Sequence, residues 1–308
     1  LGKDEGNAIR ISSLMFQYAQ NDAGEALLKE AIAAKDAGPA PAEALAAQYG
    51  RLNRKGEALE LLKKVGASDD VDVVMRAAGS ISALGESGVA FEILSARAEK
   101  FSSEPRFLAA LSQTALAANK SADAVAQVVK LVRLSKQTAE IGENIGLANR
   151  VLVAADKVLE WRTTLEAQAA RTAAETCLLA ELVEGQGDFD AVAKLLDGAT
   201  DPLVLHFYAA LLDRRGEFDQ AIAALSRLAD TDEGRKAAFF KDMSELQQRA
   251  GKTQDALATV ERWKQSAPGD KSAWLAGSRL LRESGKPEEA VKMTRQAVAR
   301  FEGDADLA

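Results

Sequence analysis

A short turn led by glycine recurs at a nearly constant interval in the last third of the chain. The turns begin at Gly216, Gly251 and Gly285, which are 35 and 34 residues apart, and an alanine follows each of them after a few mostly polar residues. Glycine adopts positive φ without steric cost and so ends a helix. Acidic residues then suit the positive end of the next helix. The period therefore predicts an array of helix–turn–helix hairpins.

Extending this register over the chain gives nine units. They are predicted at 7–38, 39–70, 71–104, 105–138, 139–172, 173–201, 202–236, 237–270 and 271–304. The turn residues are Asn53, Gly85, Asn119, Gly187, Gly216, Gly251 and Gly285. A small residue in the middle of the first helix recurs at Ala46, Ala78, Ser112, Ala180, Ala209, Ser244 and Ser278. An alanine opens the second helix at Ala26, Ala58, Ala90, Ala124, Ala221, Ala256 and Ala290.

The prolines support this register, and three units depart from it. Pro39, Pro105 and Pro202 each fall on the first residue of a unit, where a helix tolerates a missing N–H. The first unit has Leu14 in the small position. The fifth has Asn149 and Trp161 where small residues are expected, which leaves its register uncertain by one to three residues. The sixth unit is short, and we expect a local change of superhelical pitch there.

The unit resembles the tetratricopeptide repeat, and the last two units carry the family pattern best. In the last unit the pattern of large, small and alanine positions is met by Trp274, Gly277, Ser278, Leu281, Ala290 and Ala297. The resemblance covers the whole chain and implies an all-α, right-handed superhelical solenoid of about nine repeats, with the first helices on the concave side. Each hairpin has two apolar faces, so it needs neighbours to bury both.

Length alone would favour two globular domains, because domains average roughly 100–200 residues. A repeat array is the alternative that the periodicity favours, and we predict a single array over residues 1–308. The chain begins with Leu1 and ends Asp304-Ala305-Asp306-Leu307-Ala308, which we interpret as a piece of a longer protein. The second helix of the last unit carries Val291, Met293, Ala297, Val298 and Phe301. Without a capping helix this stripe would be exposed, so we expect self-association through the terminal repeat or a longer chain.

The charge balance excludes two classes of partner. The net charge is 39 − 46 = −7 and the pI about 5.1, whereas nucleic acids and anionic membranes are bound through excess Lys and Arg. We therefore expect no nucleic-acid partner and no membrane insertion. The cluster Arg51, Arg54 and Lys55 is offset by Glu57 and Glu60, and we interpret it as a solvated helix end rather than a phosphate site.

The sequence offers little for catalysis. It has one histidine, His206, and one cysteine, Cys177, so neither a Cys/His pair of the usual kind nor a multi-histidine metal site is expected. Gly85-Glu86-Ser87-Gly88 lacks the spacing and the preceding strand of a nucleophile elbow, and no phosphate-loop motif is present. We predict a protein that is not an enzyme and that needs no cofactor or metal.

The resemblance also implies where a partner binds. Family members hold a protein or peptide along the concave face, and the corresponding positions here are Arg76, Arg106, Gln113, Arg150, Glu181, His206, Lys241, Glu245, Gln248, Arg279 and Arg282. In the first two units the same positions hold Ile11, Met15, Tyr18, Glu43 and Ala47, which predicts a more apolar groove there. The alternative is that these residues form an ordinary solvated face. Glu245 beside Lys241 would repel a C-terminal carboxylate, so a carboxylate clamp for chaperone tails is not expected.

His206 leaves two interpretations open: a helix-surface histidine, or a partner contact that makes binding depend on pH. For the whole chain we predict a non-catalytic scaffold that binds a protein or peptide. The alanine-rich composition suggests a bacterial source, and the role that we favour is a segment of a bacterial envelope or secretion assembly. The periplasm or envelope and the cytoplasm stay open as locations. The alternatives are a regulatory array fused to an enzyme or transcription factor, and an RNA-binding helical repeat, which the acidic pI disfavours.

Overall fold

The computed structural model describes residues 5–231 and 235–301, except for the side chains of residues 138 and 139. These residues form eighteen α-helices and no strand, which confirms the all-α helical repeat fold. The helices are α1 Glu5–Gln17, α2 Asn21–Ile32, α3 Ala40–Arg51, α4 Lys55–Val65, α5 Val71–Ala83, α6 Ser87–Ser95, α7 Pro105–Ala117, α8 Ser121–Leu134, α9 Thr138–Ala154, α10 Val158–Glu166, α11 Ala173–Glu184, α12 Phe189–Leu196, α13 Pro202–Arg214, α14 Phe218–Thr231, α15 Lys236–Arg249, α16 Thr253–Ser266, α17 Lys271–Glu283 and α18 Pro287–Arg300.

Each odd-numbered helix is joined to the next helix by a short turn with one residue in the left-handed region. All seven turn residues expected from the sequence have positive φ, from 57° at Asn119 to 82° at Gly85. Ala19 and Asp156 take the same conformation in the first and fifth hairpins, at φ 59° and 55°. Positive φ is uncommon for alanine, so the first turn carries no glycine or asparagine signal, whereas the fifth turn lies at Ala155-Asp156, where the sequence suggests a turn.

The small positions bring the two helices of a hairpin close together. The expected small residues of α3, α5, α7, α11, α13 and α15 are all buried, as are the expected alanines of the second helices from Ala58 onward. Ser112 Oγ donates a hydrogen bond to the Ala124 carbonyl at 2.9 Å, twelve residues away. Ser278 repeats this bond to the Ala290 carbonyl at 3.2 Å. The serine hydroxyls at the helix crossing are therefore paired, as buried polar groups require.

The first hairpin lies two residues earlier in register than expected. Leu14 is half exposed, at 50%, and Ser12 is the buried small residue of α1. In α2 the buried position is Gly24, while Ala26 is exposed. Gly24 fits because a Cβ there would lie 3.0 Å from the Phe16 ring. The close helix crossing therefore selects Ser12 and Gly24, which have the same twelve-residue spacing as the serine pairs above.

The fifth hairpin keeps the expected register but lacks the small residue. Asn149 lies seven residues before the turn residue Asp156, which is the spacing between the small position and the turn in the other hairpins, and its side chain is only partly buried. Its second helix, α10, is only nine residues long. The division of the chain falls in this hairpin: contacts separate one compact unit, Leu1–Ser135 with Gly146–Trp161, from another, Lys136–Ile145 with Arg162–Ala308. The boundaries of the nine repeats, the pitch change and the right-handed superhelix stay predictions, and the C-terminal residues 303–308 lie outside the described residues.

Helix starts carry the expected signals. Pro105 and Pro202 occupy the first helical position, while Pro39 lies one residue before α3 and is its N-cap. Asp201 accepts hydrogen bonds from two backbone N–H groups at the start of α13. Thr172 and Glu175 form a reciprocal capping box at the start of α11. These caps satisfy N–H groups that a helix leaves without partners and so fix where the first helices begin.

Candidate functional site

The first helices of consecutive hairpins are joined by polar pairs spaced one repeat apart. The ion pairs are Arg76–Glu43 at 3.3 Å, Arg106–Asp72 at 3.3 Å, Arg214–Glu181 at 2.7 Å and Arg249–Asp213 at 2.5 Å. Gln248 Nε2 adds a hydrogen bond to Glu283 Oε2 at 2.5 Å. Three of the predicted groove residues, Arg76, Arg106 and Glu181, therefore already have an opposite charge within the chain.

These pairs set the character of the first-helix face. Exposed ion pairs contribute about 0–1 kcal/mol each, so they add little stability. They do neutralise charges that would otherwise attract small ions or acidic partners. Arg76 and Arg106 are thus poor candidates for an anion-binding site, and charges without an internal partner become the informative ones.

A cavity of about 330 Å³ lies between α5 and α7, within the first compact unit. It is lined by Met75, Ala78, Gly79, Ser82, Leu94, Ala110, Gln113, Thr114 and Ala117. None of these side chains is charged. The predicted groove residue Gln113 lies here, so this cavity offers one amide, two hydroxyls and an apolar floor.

A second cavity, of about 290 Å³, lies between α13 and α15 in the second compact unit. It is lined by His206, Ala209, Ala210, Asp213, Leu225, Asp242, Glu245, Leu246 and Arg249. The structure brings two predicted groove residues together here, His206 of α13 and Glu245 of α15. The His206 ring also lies 6.4 Å from the Phe239 ring, centroid to centroid.

The two cavities occupy the same place in their repeats. Counted from the buried small residues of their helices, Ala78 and Ser112 in one and Ala209 and Ser244 in the other, every lining position corresponds. The aligned pairs are Met75 and His206, Gly79 and Ala210, Ser82 and Asp213, Leu94 and Leu225, Ala110 and Asp242, Gln113 and Glu245, Thr114 and Leu246, and Ala117 and Arg249. One backbone site is thus neutral in the first compact unit and charged in the second.

Burial shifts the titration of two groups in the charged cavity. Desolvation, and then the nearby positive charge of Arg235, hold the pKa of His206 below its ordinary value. The imidazole is therefore neutral at pH 7. Desolvation, followed by repulsion from Glu245, raises the pKa of Asp242, while Lys241 and Arg235 act in the opposite direction. A raised carboxyl pKa indicates that the surroundings destabilise the negatively charged form of the group.

The remaining predicted groove residues are dispersed. Lys241 and Arg279 are exposed on α15 and α17, and Arg150 is exposed on α9, where its guanidinium lies over Gly146. Arg282 lines a third and larger groove along α17 and α18. His206 and Glu245 thus share one cavity, while Gln113 and Arg282 line two others.

The third groove, of about 620 Å³, lies along α17 and α18 at the end of the described chain. Its lining is Ser278, Arg282, Pro287, Ala290, Val291, Thr294, Arg295, Val298 and Ala299. The predicted apolar stripe of α18 divides into two faces. Ala297 is buried and Met293 packs toward Gly277 within the hairpin, while Val291 and Val298 are exposed in the groove.

The N-terminal positions are apolar only in part. Tyr18 is 75% exposed, and Ile11 and Met15 are partly buried on α1. Ala47 is exposed on α3, and Glu43 beside it binds Arg76. The first two hairpins therefore present exposed apolar side chains next to an ion pair, rather than a continuous apolar groove.

Outside the first-helix face, the other candidate sites have structural roles. Arg54 binds Glu25 and Glu57, so its guanidinium is engaged within the chain and unsuited to a phosphate. Cys177 is fully buried, and burial raises the pKa of its thiol, so it is no nucleophile. Within residues 5–231 and 235–301 no group of His, Cys, Asp and Glu is arranged to hold a metal ion. None of the helices described there is long and apolar enough to span a membrane.

Sequence reasoning missed Asp242, a half-buried carboxylate of the second cavity. A signal was present, because Asp242 precedes Glu245 by three residues and so shares its helix face. It also missed the partners of the groove arginines. Those partners lie a full repeat away, so their recurrence becomes visible only after the hairpins have been aligned.

Comparisons with known proteins find distant likenesses of fold alone. No protein-family model and no curated protein matches the chain. Among solved structures, one titled "Structure of Naa15/Naa10 bound to HypK-THB" is 13% identical over 99% of this chain and 60% of that chain, with a TM-score of 0.39. One titled "Crystal structure of APC/C hetero-tetramer Cut9-Hcn1" is 14% identical over 91% of this chain and 57% of that chain, with a TM-score of 0.33. The chain thus spans about three fifths of the length of each, and likenesses this distant assign it no activity or partner.

Proposed function

We propose that this array of tetratricopeptide-type hairpins is a non-catalytic scaffold, and that it binds a segment of a protein partner on the faces of its first helices. The observation that carries the proposal is the recurring cavity between consecutive first helices, seen between α5 and α7 and between α13 and α15. Each cavity has room for a side chain of a partner and combines an apolar floor with a few polar groups, as ligand sites do.

The small residues of the first helices open these cavities. Gly79 and Ala210 occupy the same position, and both leave space that a longer side chain would fill. At Gly79 a Cβ would meet no atom within 4 Å, so the space lies outside the packed hairpin. Gly79 and Ala210 therefore leave room for a side chain of the partner. We propose that Gln113 in the first cavity, and His206 and Glu245 in the second, contact that side chain.

Blocking the cavities should abolish binding while leaving the fold intact. We expect Gly79→Arg and Ala210→Arg to weaken, by tenfold or more, the binding of peptides selected from a displayed random-peptide library against the natural chain. A tenfold loss corresponds to about 1.4 kcal/mol. Binding would be measured by fluorescence polarisation for each variant alone and for the pair.

Matched controls place the same arginine on the second helix of one of the two hairpins that form each cavity. Ala122→Arg on α8 and Ala223→Arg on α14 alter exposed alanines outside both cavities, and should leave binding within about twofold. Circular dichroism should show equal helicity for all four variants. The proposal fails if the library yields no binders, or if the control arginines weaken binding as much as the cavity arginines.

The proposal also includes the cellular assembly to which the protein belongs. We favour a segment of a bacterial envelope or secretion assembly, supported by the alanine-rich composition, with a regulatory array fused to an enzyme or transcription factor as the alternative. Absence of catalysis is proposed alongside, on the inert cysteine and the lone histidine. Fractionation of cells that produce the whole protein, followed by detection of this chain, separates the envelope setting from a soluble regulator.

We also propose self-association through the terminal groove of α17 and α18. Val291 and Val298 are 50% and 41% exposed there, and a contiguous exposed apolar surface marks an interface. Arg282 and Arg295 line the same groove, so two copies would bring like charges together and association should strengthen with salt. Sedimentation velocity should show a salt-promoted dimer that Val291→Ser with Val298→Ser removes. The control Val153→Ser, at a valine of α9 that is 61% exposed, should leave the dimer unchanged. A strictly monomeric chain at high salt and high concentration contradicts this.

A further inference from the structure

We propose that the cavity between α13 and α15 binds the charged end of a lysine or arginine side chain of the partner, with Asp242 and Glu245 as its counter-ions. This inference rests on the proposed function, because it names the chemistry that one part of the binding face selects. No charge pattern in the sequence predicted it. It follows from which charges of the cavity already have partners and which do not.

Two carboxylates of the cavity are left without a partner. Among the residues that the structure describes, Asp242 and Glu245 make no hydrogen bond or ion pair within the chain, in contrast to Glu181 of α11 and Glu283 of α17. Burying a carboxylate without a partner costs free energy. A chain that keeps Asp242 half-buried between two helices bears that cost in the free state, and a bound cation would remove it.

Arg249, the one cation that lines the cavity, is already paired with another lining residue, Asp213. Arg249 Nη1 lies 2.5 Å from Asp213 Oδ1, an ion pair without hydrogen-bond alignment. The same guanidinium stacks on the Phe218 ring, 5.0 Å from its centroid. Asp213 and Arg249 cancel, so Asp242 and Glu245 leave the lining with a net charge of −2 while His206 is neutral.

Two further cations lie near Asp242 without lining the cavity. Arg235 stands over the Phe239 ring, 5.5 Å from its centroid, and Lys241 is exposed on α15. Both attract the Asp242 carboxylate at a distance, yet burial and Glu245 outweigh them and the pKa of Asp242 is still raised. Their presence therefore weakens the negative field but does not satisfy the carboxylate.

The shape of the cavity fits a long side chain that ends in a cation. Ala209, Ala210, Leu225 and Leu246 supply apolar surface for an aliphatic stem. Two carboxylates and the acceptor nitrogen of neutral His206 supply acceptors for an ammonium or guanidinium, which has only donors to offer. An anionic or purely apolar side chain would leave both carboxylates unpaired.

The equivalent cavity between α5 and α7 is a built-in comparison. Ala110 and Gln113 stand at the positions of Asp242 and Glu245. The double change Asp242→Ala with Glu245→Gln therefore installs residues that this fold already carries at the same site. The reciprocal change, Ala110→Asp with Gln113→Glu, places the two carboxylates in the neutral cavity.

The test uses the lone histidine as a reporter. With one histidine in the chain, the imidazole signals in an NMR spectrum belong to His206 alone. The probes are Nα-acetyl-lysine methylamide, Nα-acetyl-arginine methylamide and the norleucine analogue, which has the stem without the charge. We expect both cationic probes to shift the His206 signals saturably, more weakly at high salt, and norleucine to have little effect.

The double variant Asp242→Ala with Glu245→Gln should bind the cationic probes at least about tenfold more weakly, because it removes charge-assisted hydrogen bonds. Glu288→Gln with Glu289→Gln removes the same net charge from an exposed turn of α18 and should change nothing. The reciprocal variant should gain binding of the cationic probes, seen in the amide signals of α7. Equal responses to lysine and norleucine, or an unchanged response in the Asp242 and Glu245 variant, would overturn the inference.

The outcomes also separate this inference from the proposed function. If library peptides bind the cavities but the Asp242 and Glu245 variant selects the same peptides with the same affinity, the scaffold stands and the cation site falls. If the cationic probes bind but no library peptide does, the cation site stands and the proposed scaffold falls. Among selected peptides, replacement of a lysine by norleucine should reproduce the loss seen with the protein variant.

Discussion

Replacing Phe107 by alanine should lower the free energy of unfolding by about 3–5 kcal/mol, the usual cost of removing a buried aromatic ring. Phe107 has no exposed surface, and its ring lies 5.2 Å from that of Phe101, centroid to centroid, in a tilted arrangement. It belongs to the main apolar cluster of the first compact unit, with Ile81 and Leu94. Urea denaturation followed by circular dichroism measures the loss.

The loss should also be local, because repeats contact mainly their neighbours. Hydrogen exchange should quicken first in α5 to α8 and least in α15 to α18. Phe107→Leu keeps most of the volume and should cost less than about 1.5 kcal/mol. Tyr18→Ala, at a residue 75% exposed, should stay within about 0.5 kcal/mol. A small effect of Phe107→Ala would show that the hairpin re-packs around the missing ring.

The hairpins were predictable because their signals are local. A glycine or asparagine that ends one helix, and small residues twelve positions apart, are dictated by backbone conformation and by the distance between two helix axes. All seven turns expected on this basis have positive φ. Such constraints act within one hairpin, so a single sequence displays them.

The same reasoning failed in the first hairpin, where residues other than the expected ones occupy the turn and the close helix contact. The first turn uses Ala19 at positive φ, which hid it from a search for glycine and asparagine and displaced the register by two residues. Leu14 was then assigned to the small position that Ser12 occupies. The close approach of the helices requires a small residue but does not specify which one, so Gly24 escaped a pattern that expects alanine in the second helix, and Ser12 was missed with it.

The sequence predicted which helix face carries the candidate site, but not which residues share a cavity. The sequence placed His206 and Glu245 on first helices, but their shared cavity depends on how two hairpins stack. The partners of Arg76 and Arg106 lie on the preceding first helix, at Glu43 and Asp72. Contacts between hairpins depend on side-chain reach across a helix interface, which periodicity does not contain.

Glu25 shows the same limit in the first compact unit. The sequence suggested that Arg54 is offset by Glu57, and this ion pair is present at 2.5 Å. Arg54 also reaches Glu25 Oε2 at 2.5 Å, and the Tyr49 hydroxyl donates to Glu25 Oε1 at 2.8 Å. Glu25 thereby ties α2 to α3 and to the start of α4, which no local pattern indicates.

Glu25→Gln should therefore cost about 2 kcal/mol at pH 7, in the range of hydrogen bonds to a charged group. Bonds from Arg54 and Lys29 lower the pKa of Glu25 to about 2, from an ordinary value of 4.5. A lowered carboxyl pKa stabilises the fold above pH 4.5, and that contribution is lost as the pH falls from 4.5 toward 2. The difference in the free energy of unfolding between the natural chain and the variant, measured by urea denaturation, should become smaller as the pH falls through this range.

Glu60→Gln is the control, because the Glu60 carboxylate contacts only exposed Lys63, at 3.4 Å. This variant should lose less than about 0.5 kcal/mol of the free energy of unfolding at every pH. A pH-independent loss in Glu25→Gln would instead place its effect in packing between α2 and α3.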